Sequence, residues 1–293
     1  MGLSEKFEEM LRDSECNPEV IPGLVSMVMA APDTPERDGL LAMMYHDGIG
    51  VERDLDKSFG YAEKAAFSGQ GDALGDYILG FMCEHGETPD QADGGPRQKY
   101  DHYDAERFYE KCAGMEGPWR DEAVIWLGDY FMDFAKGGDP EVGVEYFESI
   151  AEDNTEAAGR LSDYYWNLVM PDHTDDEEWV AQLYRWTTVA SRLDPEEYAV
   201  RMGWLYADGL GCGRDFDKAR GWFEEGYRQG DWRGADAMAR LCEERLESTQ
   251  GLGAEERERC EREIEKWDSL AGKMYEEELG DPAKEGDFEI EED

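Results

Sequence analysis

The chain has 293 residues, with 29 basic against 72 acidic side chains and a formal net charge of −43. That balance excludes a direct nucleic-acid binder, because a phosphate backbone requires a basic stripe, and it steers cationic partners toward the surface. The longest apolar run, 21–32, is far shorter than the roughly 20 residues that cross a bilayer, so no membrane partner is expected.

In chain order, residues 1–35 read as an N-terminal helical cap, charged over the first 15 positions and without a targeting signal. From residue 36 a pattern recurs. Ala42, Gly80, Gly128, Ser162, Gly203 and Ala239 are small residues spaced 38, 48, 34, 41 and 36 apart. Each follows a large aliphatic (Leu41, Leu79, Leu127, Leu161, Met202, Met238) and precedes by three places a bulky residue (Tyr45, Cys83, Phe131, Tyr165, Tyr206, Cys242). Aliphatic, small and bulky residues at helical spacing predict a helix packed closely on another helix.

Aromatic pairs mark a second helix after each of the first five: Phe59/Tyr61, Phe108/Tyr109, Tyr146/Phe147, Tyr184/Trp186 and Trp222/Phe223. Between the helices lie glycine turns, Asp47-Gly48-Ile49-Gly50-Val51 in the first unit and Asp208-Gly209-Leu210-Gly211-Cys212 in the fifth. Glycine there lets a helix stop in a left-handed conformation. Asp54 and Asp215 follow as caps of the second helix. A period of this length signals a stacked array in which no unit buries its apolar face alone. The expected fold class is all-α, a solenoid of about six helix-turn-helix repeats. The second unit carries an insertion at 91–101, and the sixth replaces its glycine turn with 247–254 and a long charged helix. Residues 279–293 read as an acidic disordered tail, since 276–293 holds ten acids and only Lys284.

The segment Leu41-Ala42-Met43-Met44-Tyr45-His46-Asp47-Gly48-Ile49-Gly50-Val51, followed by Asp54, Lys57 and Ala65-Ala66, resembles the Sel-one-like repeat, a relative of the tetratricopeptide repeat. Met202-Gly203-Trp204-Leu205-Tyr206-Ala207-Asp208-Gly209-Leu210-Gly211, with Asp215, Lys218 and Ala219, is similar to it as well. The resemblance covers about 36–278. It implies a right-handed superhelix of paired helices that serves as an adaptor for other proteins, without catalysis and without a cofactor. The six cysteines show no repeating pair, unlike the disulfide-bridged branch of that family, and they suit the reducing cytoplasm.

Chemistry is sparse in the sequence. Cys83 and His85 fall short of a zinc set, and His85 reads as a polar residue at a helix end. The acids of 172–178 lack the glycine of a calcium loop and read as a cap for a helix beginning near Glu177. Gly209 to Gly213 follows a helix, not a strand, so it is a turn and no phosphate cradle. By the resemblance, the first helix of each pair lines a concave face. The candidate peptide-binding residues are Met43, Tyr77, Phe81, Ile125, Asp129, Asp163, Val200, Trp204 and Arg240. Apolar anchors mixed with acids suit a protein or peptide of Lys/Arg-rich character. Two other readings follow from the same residues: an acidic mimic of nucleic acid that occupies a DNA-binding protein, and an enzyme with its site in the insertion around Gln91 to Tyr103, near His102.

Overall fold

A computed structural model describes residues 2–69, 71–89, 100, 102–133, 138–170, 173–248 and 253–279. All the regular structure among them is helical, and the chain divides into two compact units, 1–146 and 147–293. Unit 1 opens with α1 (Leu3–Cys16), a 3₁₀ turn at Pro18–Val20 and α2 (Ile21–Ala30). The hairpins α3 (Pro35–Asp47) with α4 (Leu55–Phe67) and α5 (Ala73–Glu84) with α6 (His102–Ala113) follow, and then α7 (Arg120–Met132). The division falls inside α8 (Pro140–Glu148). Unit 2 continues with the hairpins α9 (Thr155–Val169) and α10 (Glu177–Leu193), α11 (Pro195–Asp208) and α12 (Phe216–Gln229), and α13 (Trp232–Ser248) and α14 (Ala254–Leu279). Of the expected insertion at 91–101 only Tyr100 is among the described residues, and the acidic tail beyond Leu279 lies outside them.

Side chains set the helix starts. Thr34 accepts from Arg37 N ahead of Pro35, Asp54 from Lys57 N, Asp72 from Leu74 N and Gly75 N, and Asn154 from Ala157 N. Asp176, Asp194 and Asp215 do the same for α10, α11 and α12. The two glycine turns close alike. Gly48 and Gly209 end their helices at φ +73 and +77, the left-handed region a side chain resists. Asp54 N then reaches Tyr45 O, and Asp215 N reaches Tyr206 O, both at 2.9 Å.

The small residues mark where helices touch. A Cβ on Gly80 would sit 3.1 Å from the Tyr109 ring, and one on Gly203 only 2.3 Å from Phe223 Cε1. Both rings are almost wholly buried. Ala42 lends its carbonyl to the Ser58 hydroxyl at 2.9 Å, and the Ser162 hydroxyl meets that of Thr187 at 2.9 Å. Successive hairpins use a second set of small residues: a Cβ on Gly75 would lie 2.6 Å from Ala65 Cβ, and one on Gly234 2.5 Å from Tyr227 N and 2.7 Å from Phe223 O. Backbones that approach this closely bury large rings on either side, so each hairpin's stability depends on its neighbour.

Two aspartates are buried in unit 1. Asp38 meets Lys64 Nζ at 2.8 Å, whereas Asp76 is fully buried with Lys111 Nζ only at 3.6 Å. Burial pushes the Asp76 carboxyl up to about 6, an effect the Lys111 charge partly offsets.

Candidate interaction face

The first helix of each hairpin carries the residues singled out in the sequence. In unit 1, Met43 on α3 is half-buried against the core. Tyr77 on α5 is half-buried with its ring 5.7 Å from Tyr109 and 5.4 Å from Trp119. Burial, with Glu122 nearby, pushes its hydroxyl up to about 12, so it stays a protonated donor. Phe81, one turn on, stacks on His85 at 4.0 Å and packs edge to face with His46 at 5.1 Å. Ile125 is half-buried and Asp129 exposed on α7.

In unit 2, Asp163 pairs with Arg201 Nη1 at 2.7 Å, and the Arg201 guanidinium lies over the rings of Trp166 and Tyr198 at 5.0 and 5.3 Å. Trp204 is half-buried, edge to face with Phe223 at 5.0 Å. Arg240 is exposed and bridges to Asp236 at 3.0 Å. Val200 is the exception among the nine. It is 7% exposed, because Gly226 on α12 lets the facing backbone close over it, and it packs as a core residue with little surface for a partner.

Around Phe81 stands a polar clasp that the spacing of apolar residues did not reveal. His46, buried at the end of α3, has Nδ1 2.5 Å from Asp47 Oδ1 and Nε2 2.9 Å from Glu87 Oε2. The hydrogen bond to Asp47 raises the imidazole above its ordinary range; burial opposes this, and Glu87 adds to it. Burial alone would raise Glu87, but hydrogen bonds from His46 and Arg53 outweigh it and hold that carboxyl low. A charged imidazolium between two carboxylates is the state this geometry favours. Arg53 donates from Nε to His46 O and from Nη2 to Glu87 Oε1, both at 2.8 Å. Unit 2 repeats the device: Arg214 Nε donates to Ala207 O at 2.6 Å, and its Nη2 bonds Glu244 Oε1 on α13. The one available signal was an arginine immediately before each capping aspartate, Arg53-Asp54 and Arg214-Asp215.

His85 caps the end of α5, its Nδ1 2.9 Å from Phe81 O, as its turn position implied. Among the described residues no group of three or more His, Cys, Asp or Glu is placed to hold a metal ion, and no helix is long and apolar enough to cross a membrane. Burial pushes the Cys112 and Cys242 thiols up to about 12 and about 11, far from the thiolate a nucleophile needs. The enzymatic reading had rested on 91–103; of that stretch only Tyr100 and residues from His102 on are described, and Tyr103 is 74% exposed.

Glycine-closed helical hairpins, nested through small residues and rings, define an α-solenoid repeat protein. The Sel1 repeat family matches residues 40–68 and 197–231, one segment in each unit. The fold is similar to a Sel1 repeat protein from Oxalobacter formigenes, with TM-score 0.53 and 19% identity over 91% of this chain and 99% of that one. It is also similar to c5321, a protective antigen of uropathogenic Escherichia coli strains displaying an SLR fold, with TM-score 0.52 and 19% identity over 88% of this chain and 57% of that one. No match is found among curated protein sequences. Two segments of the chain thus match the Sel1 repeat, and its fold is that of Sel1-like repeat proteins.

Proposed function

We propose that this protein is a non-catalytic scaffold that binds a protein or peptide of Lys/Arg-rich character through the first helices of its hairpins. In unit 1 the face comprises Met43, Tyr77, Phe81, Ile125 and Asp129; in unit 2 it comprises Asp163, Trp204 and Arg240. One observation supports this reading above the others: Phe81 and Tyr77 present half-buried rings on one helix, beside the carboxylates of Asp47, Glu87 and Glu122. Preordered rings with an acidic surround suit an apolar anchor flanked by cations. Six cysteines without a repeating pair support a cytoplasmic location.

The test compares capture by the intact chain and by Phe81→Ala/Trp204→Ala, with circular dichroism verifying that helicity is kept. Partners held by the intact chain should be lost from the double variant, and equal capture by both refutes the face. Capture that collapses steeply with salt and is competed by duplex DNA would instead mark a mimic of nucleic acid.

A further inference from the structure

An open depression of about 870 Å³ lies within unit 2, where the starts of α11 and α13 meet the end of α14. Glu196, Glu197, Asp231 and Glu277 line it, and the only basic side chain among its lining residues is Arg233. Four carboxylates against one guanidinium leave three negative charges in excess.

Asp231 is the distinctive member. It is only 9% exposed, and its Oδ1 accepts from both Arg233 N and Arg233 Nε at 2.9 Å. Its other oxygen, Oδ2, is buried with no hydrogen-bond partner among the described residues. A carboxylate oxygen stripped of both water and donor is costly, and nearly all such oxygens are satisfied. The resident Arg233 also shows what the depression accepts: while its Nε is on Asp231, its Nη2 stands 3.7 Å from Glu197 Oε2. A planar fork thus already spans two of the four carboxylates. Trp232 adds an apolar wall, its ring edge to face with Tyr275 at 5.0 Å.

We propose that this depression receives the guanidinium of an arginine side chain from a partner protein, which completes Asp231 at Oδ2 and takes Glu196 and Glu277 as counter-ions. Arg233 is half-exposed, and exposed side chains change rotamer readily, so the resident fork can make room for an incoming one. A guanidinium suits the site better than an ammonium because it offers parallel donors to separate carboxylates and a flat face to an indole. The proposal rests on the scaffold reading only in taking the arginine from a protein. The two fail separately, since neither Phe81 nor Trp204 lines the depression.

The experiment follows the Trp232 indole N–H resonance of the full chain, assigned with Trp232→Phe, during titration with acetyl-Gly-Arg-Gly-amide, its lysine counterpart and agmatine. Arginine peptide and agmatine should shift the resonance saturably, the lysine peptide at least about fivefold more weakly. Glu196→Gln/Glu277→Gln, two exposed positions whose replacement spares the fold, should weaken the arginine peptide about tenfold. Asp231→Asn keeps an equally good helix cap and should weaken it as much. No saturable shift, equal binding of the lysine peptide, or unchanged affinity in the glutamate variant would overturn the proposal. Agmatine bound with the peptide refused would also overturn it, in favour of a small free guanidine.

Discussion

Gly203→Ala puts the packing logic to a sharp test. A Cβ there would stand 2.3 Å from Phe223 Cε1 and 2.4 Å from Cδ1, about 1.3 Å short of ordinary carbon contact. The ring has nowhere to go, being fully buried, packed on Trp204, and carried on a turn whose carbonyl lies under Gly234. Overpacking of this kind costs about 1–3 kcal/mol. Replacing a mid-helix glycine by alanine returns about 1 kcal/mol, so a net loss of up to about 2 kcal/mol is expected. Gly221→Ala on α12 is the control, because nothing lies within 4 Å of its added carbon. It should stabilise by about 0.5–1 kcal/mol. Hydrogen exchange at the amides of α11 and α12 reads the difference within unit 2, and Phe223→Leu should suffer less from Gly203→Ala than the native ring does. If Gly203→Ala proves as stabilising as Gly221→Ala, close ring-on-glycine contact does not hold this hairpin together.

Two further outcomes concern titration in unit 1. Because the native His46 imidazole is raised above its ordinary 6.5, its contribution is fully present below that value and is lost as pH rises through the native one. Protection of α3 and α5 amides, corrected for intrinsic exchange, should therefore fall as pH rises past 6.5, and His46→Gln should abolish that dependence; an imidazole titrating at or below 6.5 would contradict the clasp. Asp76 is also raised, so stability again falls as pH rises, but here removing the group is the favourable change. A carboxyl raised to about 6 destabilises once ionised, so Asp76→Asn should gain about 1–2 kcal/mol at pH 7, after allowing for the buried amide, and gain little at pH 4, as urea unfolding at the two pH values would show.

Much of this architecture is written in local chemistry. The small column at Ala42, Gly80, Ser162 and Gly203 was legible because one helix cannot approach another's ring or hydroxyl with a larger residue in the way. The caps at Asp54 and Asp215, the start of α10 and the end-of-helix role of His85 were legible because they depend on residues within a turn of one another. Val200 was misplaced for the converse reason: its burial depends on Gly226, in the facing helix, and a one-helix periodicity carries no information about that opening. The same holds for Arg53 with Glu87 and Arg214 with Glu244, joined across 34 and 30 residues by the stacking itself. Asp231 with its unpartnered oxygen reads in sequence as one more acid among 72, and only the arrangement of α11, α13 and α14 sets it apart.

The two turn arginines bear on how such chains can be cut and rejoined. Arg53 holds the carbonyl of its own hairpin with Nε and a glutamate of the following one with Nη2, and Arg214 does likewise. The transplantable module is therefore offset from the visible hairpin, running from one turn to the next. A graft that ends at the last residue of α4 or α12 severs a joint midway, whereas one that carries the downstream glutamate along moves it whole.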